Sequence, residues 1–264
     1  MLVFSTLRLI TFLIIATTIP ILSLIIDVDD YVDGVDLVVG ISPDYSPFAF
    51  TKDSVIVGFD VDLINKIAEI TNKKIIIKEI EFSSLIPSLY SKKVDLIISG
   101  ISRNAHRNNN IDFSNSYYIN TFAIIVQSDK KFIFLEDLPN NARIGVQTGS
   151  TMENFINNYN HIINSTLEIV SLGSNSILLE KLRLREIDAL IIEEIQALTL
   201  VKKTLGLRSS TVSNNTYVKM YQEHYSIGLL KYSNFTQVVN KAIKELHNNQ
   251  SINLLLKKWN LLHF

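Results

Sequence analysis

VDLIISGISRNAHR, residues 94–107, begins as one kind of structure and ends as another. Val94–Ser99 is a short apolar run closed by a turn residue, the pattern of a buried strand. Gly100 then lets the backbone turn and approach a ligand closely. Ser102 adds a hydroxyl, and Arg107 a rigid fork of donors suited to a carboxylate. In open α/β sheets ligands sit beyond the carboxyl ends of strands. The stretch therefore reads as a carboxylate receptor at such an end, although the same residues also describe an ordinary turn followed by a solvated arginine.

Strand and helix patterns alternate on both sides of it. Residues 35–42 read as a strand, and 59–72 as a helix with one apolar face (61, 63, 64, 67, 68, 70) and Asp60 as its N-cap. Residues 73–80 read as a strand, and 83–93 as a short helix tolerating Pro87 in its first turn. A second run begins near 121: strands at 121–128, 142–147, 167–172 and 187–192, a loop with a helical turn at 136–141, and helices opening after Gly149, at 176–185 and at 193–206. A strand at 224–231 and helices at 234–247 and 249–260 close the chain. The expected fold class is α/β, with strand–helix–strand units building parallel sheets.

The chain has 264 residues, 47% of them apolar, which is enough for one large domain or two ordinary lobes. A formal charge of −1 argues against a nucleic-acid partner. With no cysteine, disulfides, thiolate nucleophiles and lipid-modified N-termini are excluded. The five histidines are scattered without metal-ligand spacing, so no metal is expected. The N-terminus differs from the rest. One arginine precedes the uncharged Leu9–Ile26, which is followed by an Asp-rich stretch. Residues 1–26 read as an export signal, with Pro20 before a possible cut near Ser23, or as a retained anchor.

Four blocks, in order, resemble the amino-acid-binding proteins of ABC importers, the family-3 solute-binding proteins. They are VGISPDYSPFAF (39–50), VGFDVDLINKIAE (57–69), the long block from Phe82 to Tyr118, and IGVQTGST (144–151), followed by REIDALIIEE (185–194). The resemblance spans about 36–260. It implies a two-lobed periplasmic-binding-protein fold of type II, with lobe 1 at 36–120 plus 225–264 and lobe 2 at 121–224. The hinge strands would lie near Tyr118–Phe122 and Tyr221–Ile227, with a ligand clamped between the lobes.

Carried over residue by residue, the resemblance makes Arg107 the carboxylate-binding arginine, with Ser99, Gly100 and Ser102 beside it. Ser150 and Thr151, opening a helix, would take the same carboxylate, or would simply cap that helix. Tyr45 and Phe82 would sandwich the ligand, with Phe48 behind Tyr45. Two departures stand out. Glu193 replaces the Asp that holds the ligand's ammonium, its other reading being a cap on the helix that follows it. Ser42 replaces an acid found in binders of basic amino acids, though Asp44 could still reach a basic head group. With Gln147 near the far end of the pocket, this favours a polar, uncharged side chain. His106 stands where the family commonly has an acid and is expected to be exposed.

The function implied is capture of a free, polar amino acid in the periplasm and delivery to an ABC permease in the inner membrane. The protein would act as a monomer without cofactor. Two other classes share the pattern: an exported dehydratase of cyclic acid precursors of aromatic amino acids, with Glu193 as general acid, and a membrane-tethered amino-acid sensor.

Overall fold

The computed structural model describes residues 36–131, 133–163, 166–213 and 222–262; the expected export signal or anchor at 1–26 and Tyr221 of the expected hinge lie outside the described residues. Two five-stranded sheets organise the chain. The first has the order β5 (Ile75–Glu79), β1 (Leu37–Ile41), β6 (Leu96–Ile97), β15 (Gly228–Leu230), β7 (Ile111–Phe113). The second has the order β11 (Glu168–Leu172), β10 (Arg143–Gln147), β12 (Ala189–Glu193), β9 (Phe122–Gln127), β13 (Leu207–Thr211). A two-stranded antiparallel ribbon joins them: β8 (Tyr118–Asn120), which leads into β9, and β14 (Glu223–Tyr225), which leads into β15.

The expectation of parallel sheets is corrected here. Each sheet contains one reversed strand, β15 in the first and β9 in the second, antiparallel to both its neighbours. These are the two strands that arrive from the ribbon. They start at the end where the parallel strands finish, so they must run the other way. For the same reason residues 224–231 are not one strand. The chain breaks at Ser226–Ile227, leaving β14 in the ribbon and β15 in the sheet.

α1 (Phe59–Thr71) buries Val61, Leu63, Ile64, Ile67 and Ala68 against α7 (Phe235–Asn248) and α8 (Ser251–Lys258). Each fully buried Leu or Ile in this stripe contributes roughly 1.5–3 kcal/mol. The other face of the first sheet packs on α2 (Leu85–Tyr90). There Pro87, third in the helix, removes only an N–H that the first turn could not use. In the second sheet one face carries α4 (Thr151–Ile163) and the other α5 (Asn175–Arg183) and α6 (Glu194–Lys203). The alternation pattern missed a small sheet of β2 (Asp44–Tyr45), β3 (Ala49–Lys52) and β4 (Val55–Val57), whose strands are too short to show a period. It also missed β7, β13 and the four-residue α3 (Ala105–Asn108).

The start of α1 also differs from expectation. Its N-cap is Gly58, not Asp60, which is the second helical residue. Gly58 has φ 141°, and a Cβ there would lie 2.0 Å from the Phe48 carbonyl oxygen. That oxygen is held in place because it accepts the Asp60 N–H. Gly58→Ala should therefore destabilise the protein by on the order of 3 kcal/mol, a Tm loss of roughly 6–12 °C in a thermal melt.

Candidate functional site

The carboxyl ends of β1 and β6 face those of β10 and β12, and the candidate residues collect between them. Ser99 locks the first pair of ends together. Its hydroxyl oxygen accepts the Ser42 N–H at 3.1 Å, and its proton goes to the Ser42 carbonyl at 3.0 Å. Gly100 follows at φ +56°, with the Tyr45 ring lying so close that a Cβ would meet it at 2.2 Å. Its N–H donates to Asp60 Oδ2 at 2.7 Å, which is where the carboxylate expected to cap α1 is engaged. Ser102 then bridges to Tyr225, fastening the loop to the hinge ribbon.

Asn104 caps α3 by accepting the Arg107 N–H, and this turn sends the Arg107 side chain back toward the loop. Arg107 is 6% exposed. Its Nη1 donates to the Ser102 carbonyl and its Nη2 to the Gly149 carbonyl, each at 2.8 Å. The guanidinium thus touches the strand-end loops of both sheets. It also lies 5.8 Å from the centre of the Phe82 ring, within cation–π range.

On the second sheet Gly149 adopts φ +74° and its N–H donates to Glu153 Oε2, while the Ser150 hydroxyl accepts the Glu153 N–H at 3.1 Å. Ser150 therefore does cap α4, as one of its two readings required. The Thr151 hydroxyl donates to Glu223 Oε2 at 3.0 Å. Gln147 is tied down within its own lobe, donating to the Gly173 carbonyl at 3.0 Å and accepting from Asn175.

Glu193 ends β12 and is 8% exposed. It is the N-cap residue of α6, but its side chain makes no capping hydrogen bond there. Its Oε2 is buried without a hydrogen-bond partner. This carboxyl is raised to about 8, chiefly by burial and with help from Glu223, against its own backbone N–H and Arg107, which oppose the rise. Tyr45 stacks on the fully buried Phe48, centroids 5.0 Å apart, and its hydroxyl pairs with that of Tyr225, which also accepts from Asn120 at 3.1 Å. Asp44, expected to be available to a basic head group, instead has its carboxylate held by Ser174 and Ser176. His106 is exposed.

Sequence reasoning missed Asp60, Asn120 and Glu223. Asp60 lies inside the quoted FDVDLI, where its spacing mimics a helix cap. Glu223 is 1% exposed on β14, and nothing in its neighbours marks it as buried. Burial also raises Asp60, to about 7, against the Tyr117 and Gly100 hydrogen bonds that lower it. Folded Asp60 and Glu193 therefore keep protons that the unfolded chain releases near pH 4, as ordinary carboxyls do. The folded state binds more protons, so stability falls as pH rises from about 4 toward 8. Asp60→Asn keeps an acceptor for Gly100 and removes one titrating group. Urea unfolding at intervals across this range should show a shallower decline than wild type, and an unchanged slope would mean that Asp60 is ionised throughout.

Comparison with known proteins places the chain. Residues 37–262 match the bacterial extracellular solute-binding proteins, family 3, and the protein belongs to that family. It is 32% identical over 223 residues to the arginine-binding extracellular protein ArtP of Bacillus subtilis, covering 84% of this chain and 85% of the relative. It is 29% identical over 235 residues to a probable histidine-binding protein of Campylobacter jejuni, covering 85% of each. Among solved structures it is similar to the arginine-, lysine-, histidine-binding protein ArtJ of Geobacillus stearothermophilus, with a TM-score of 0.77, 27% identity, and coverage of 85% of this chain and 94% of that one. The fold is thus the two-lobed, type II periplasmic-binding-protein fold, and the family and these relatives are binding proteins, not enzymes.

Proposed function

We propose that this protein captures a free α-amino acid with a polar side chain between two lobes, 36–120 plus 225–264 and 121–224, and delivers it to an ABC permease. It would do so in the periplasm, as a monomer exported by its N-terminal segment. Among the described residues no helix is long and apolar enough to cross a membrane. One observation carries the reading: a buried guanidinium, Arg107, acts on the charge of a buried carboxyl, Glu193, that has one oxygen without a hydrogen-bond partner among the described residues. A zwitterion is complementary to both groups. Its carboxylate suits Arg107, the hydroxyls of Ser102 and Ser150, and the N–H groups opening α4. Its ammonium suits Glu193, whose desolvation otherwise goes uncompensated. Tyr45 and Phe82 flank this space, with Gly100, Ser99, Thr151 and Gln147 shaping it. The named relatives' ligands, arginine and histidine among them, support an amino acid and extend the polar class to cationic side chains.

Thermal melts of the full chain against the twenty amino acids and a panel of keto and cyclic acids test this directly. A ligand at about 1,000 times its Kd adds on the order of 4 kcal/mol, an obvious rise in Tm. Arg107→Met should fold and show no rise with any amino acid. If the variant responds like wild type, the carboxylate assignment is wrong. A cyclic acid that raises Tm and is then consumed would favour the dehydratase.

The ionisation of Glu193 adds a pH signature. The ammonium needs a carboxylate, while the unliganded group holds its proton up to about pH 8. Affinity should therefore tighten by up to about tenfold per unit from pH 6 and level off near 8. Glu193→Asp should retain this dependence and most of the affinity. Glu193→Gln should lose both, and equal losses in the two variants would remove Glu193 from the ammonium site.

A further inference from the structure

The Asp44 side chain reaches from one lobe to the N-terminus of a helix in the other. α5 begins after Ser174, whose hydroxyl oxygen caps the helix by accepting the Ile177 N–H. That same hydroxyl donates its proton to Asp44 Oδ2 at 2.6 Å. Asp44 Oδ2 also accepts the Ser176 N–H at 3.2 Å, and Oδ1 accepts the Ser176 hydroxyl. Behind them Gln196 Nε2 donates to the Asp44 backbone carbonyl at 3.0 Å. Four hydrogen bonds thus run between one residue of the first lobe and three of the second.

The chemistry favours this contact. The first N–H groups of a helix have no partner within it, and the dipole there favours an anion. Asp44 supplies the anion from outside the helix, so α5 is fully capped only while the lobes are together. The adjacent surfaces agree: the Glu81 carboxylate lies against Gly173, where a Cβ would meet it at 2.1 Å. None of Asp44, Ser174, Ser176 and Gln196 belongs to the set assigned to the amino acid. Asp44 does precede Tyr45, so the latch and the aromatic wall share one short strand.

We infer that Asp44 is a closure-determining residue: its carboxylate, by capping α5 across the cleft, holds the lobes together with or without ligand and sets how slowly bound ligand escapes. This rests on the capture reading above for its consequence, but not for the latch itself. A contact made only when the lobes meet must break before ligand leaves, so it acts mainly on dissociation; association falls only in proportion to the ligand-free molecules that are already closed.

The full chain contains no cysteine, so two labels can be placed without removing any. Spin labels at Asn65→Cys and Lys202→Cys, both exposed and one in each lobe, report the separation between lobes. Without ligand, wild type should show a population at the separation of lobes joined through Asp44, and Asp44→Ala should lose it. Ser174→Ala combined with Ser176→Ala should do the same, and adding both to Asp44→Ala should change nothing further. A wild type that is wholly open without ligand, an unchanged distribution in Asp44→Ala, or additive effects would each overturn the latch. With L-arginine, L-histidine and L-glutamine as probes, Asp44→Ala should dissociate about tenfold to a hundredfold faster, with association within about threefold of wild type. Equal dissociation rates would overturn its role in retention. If no probe binds wild type, the capture reading fails while the ligand-free distances still judge the latch.

Discussion

The Arg107 guanidinium is the interaction on which the rest depends. It donates to the carbonyls of Ser102 and Gly149, one at the strand-end loop of each lobe. A buried arginine needs such acceptors, because its N–H groups have left water. Everything nearby serves to place it. Asn104 turns the chain, Gly100 with Asp60 and Ser99 with Ser42 fix the loop, and Phe82 offers its ring face.

Around this cation the structure gathers buried carboxyls at unusual density. Asp60 lies under the loop, Glu193 at the end of β12, and Glu223 on the hinge strand. Burial lifts Asp60 and Glu193 toward or above neutrality, so each holds a proton that an exposed acid would lose. Such groups cost stability in the folded protein and are retained where a ligand's charge offsets the cost. Asp60 accepts the Gly100 N–H on one oxygen, while its other oxygen, like Glu193 Oε2, is buried without a hydrogen-bond partner among the described residues. Glu193 differs in its place: it ends β12, where the Arg107 charge acts on it.

The hinge explains why two lobes behave as one binding device. The chain crosses twice on β8 and β14, and each crossing delivers a reversed strand into the sheet it enters. The reversed strands begin at the cleft, so a motion of the ribbon acts where ligand would be held. Glu223 and Tyr225 lie on that ribbon, and through Thr151, Tyr45 and Asn120 they link it to both walls of the site.

The sequence by itself determined the elements whose pattern is long enough to read: α1, α2, α4 to α8, and the strands β1, β5, β6, β9, β10, β11 and β12. Family motifs then marked Arg107, Ser102, Ser150, Thr151, Tyr45 and Phe82, which the folded chain does bring together. Local pattern could not say that residues 224–231 divide between ribbon and sheet, because the two pieces are three residues each and only Ser226 and Ile227 separate them. Nor could it assign Asp60, Asp44 and Glu223, since one short acidic side chain can cap its own helix, cap a helix in another lobe or lie buried on a strand. Which of these happens is decided by partners 40, 132 and 72 residues away, at Gly100, Ser176 and Thr151. Hydrogen bonds of that separation exist only once the lobes have been built and brought together. That is why tertiary structure alone settled them.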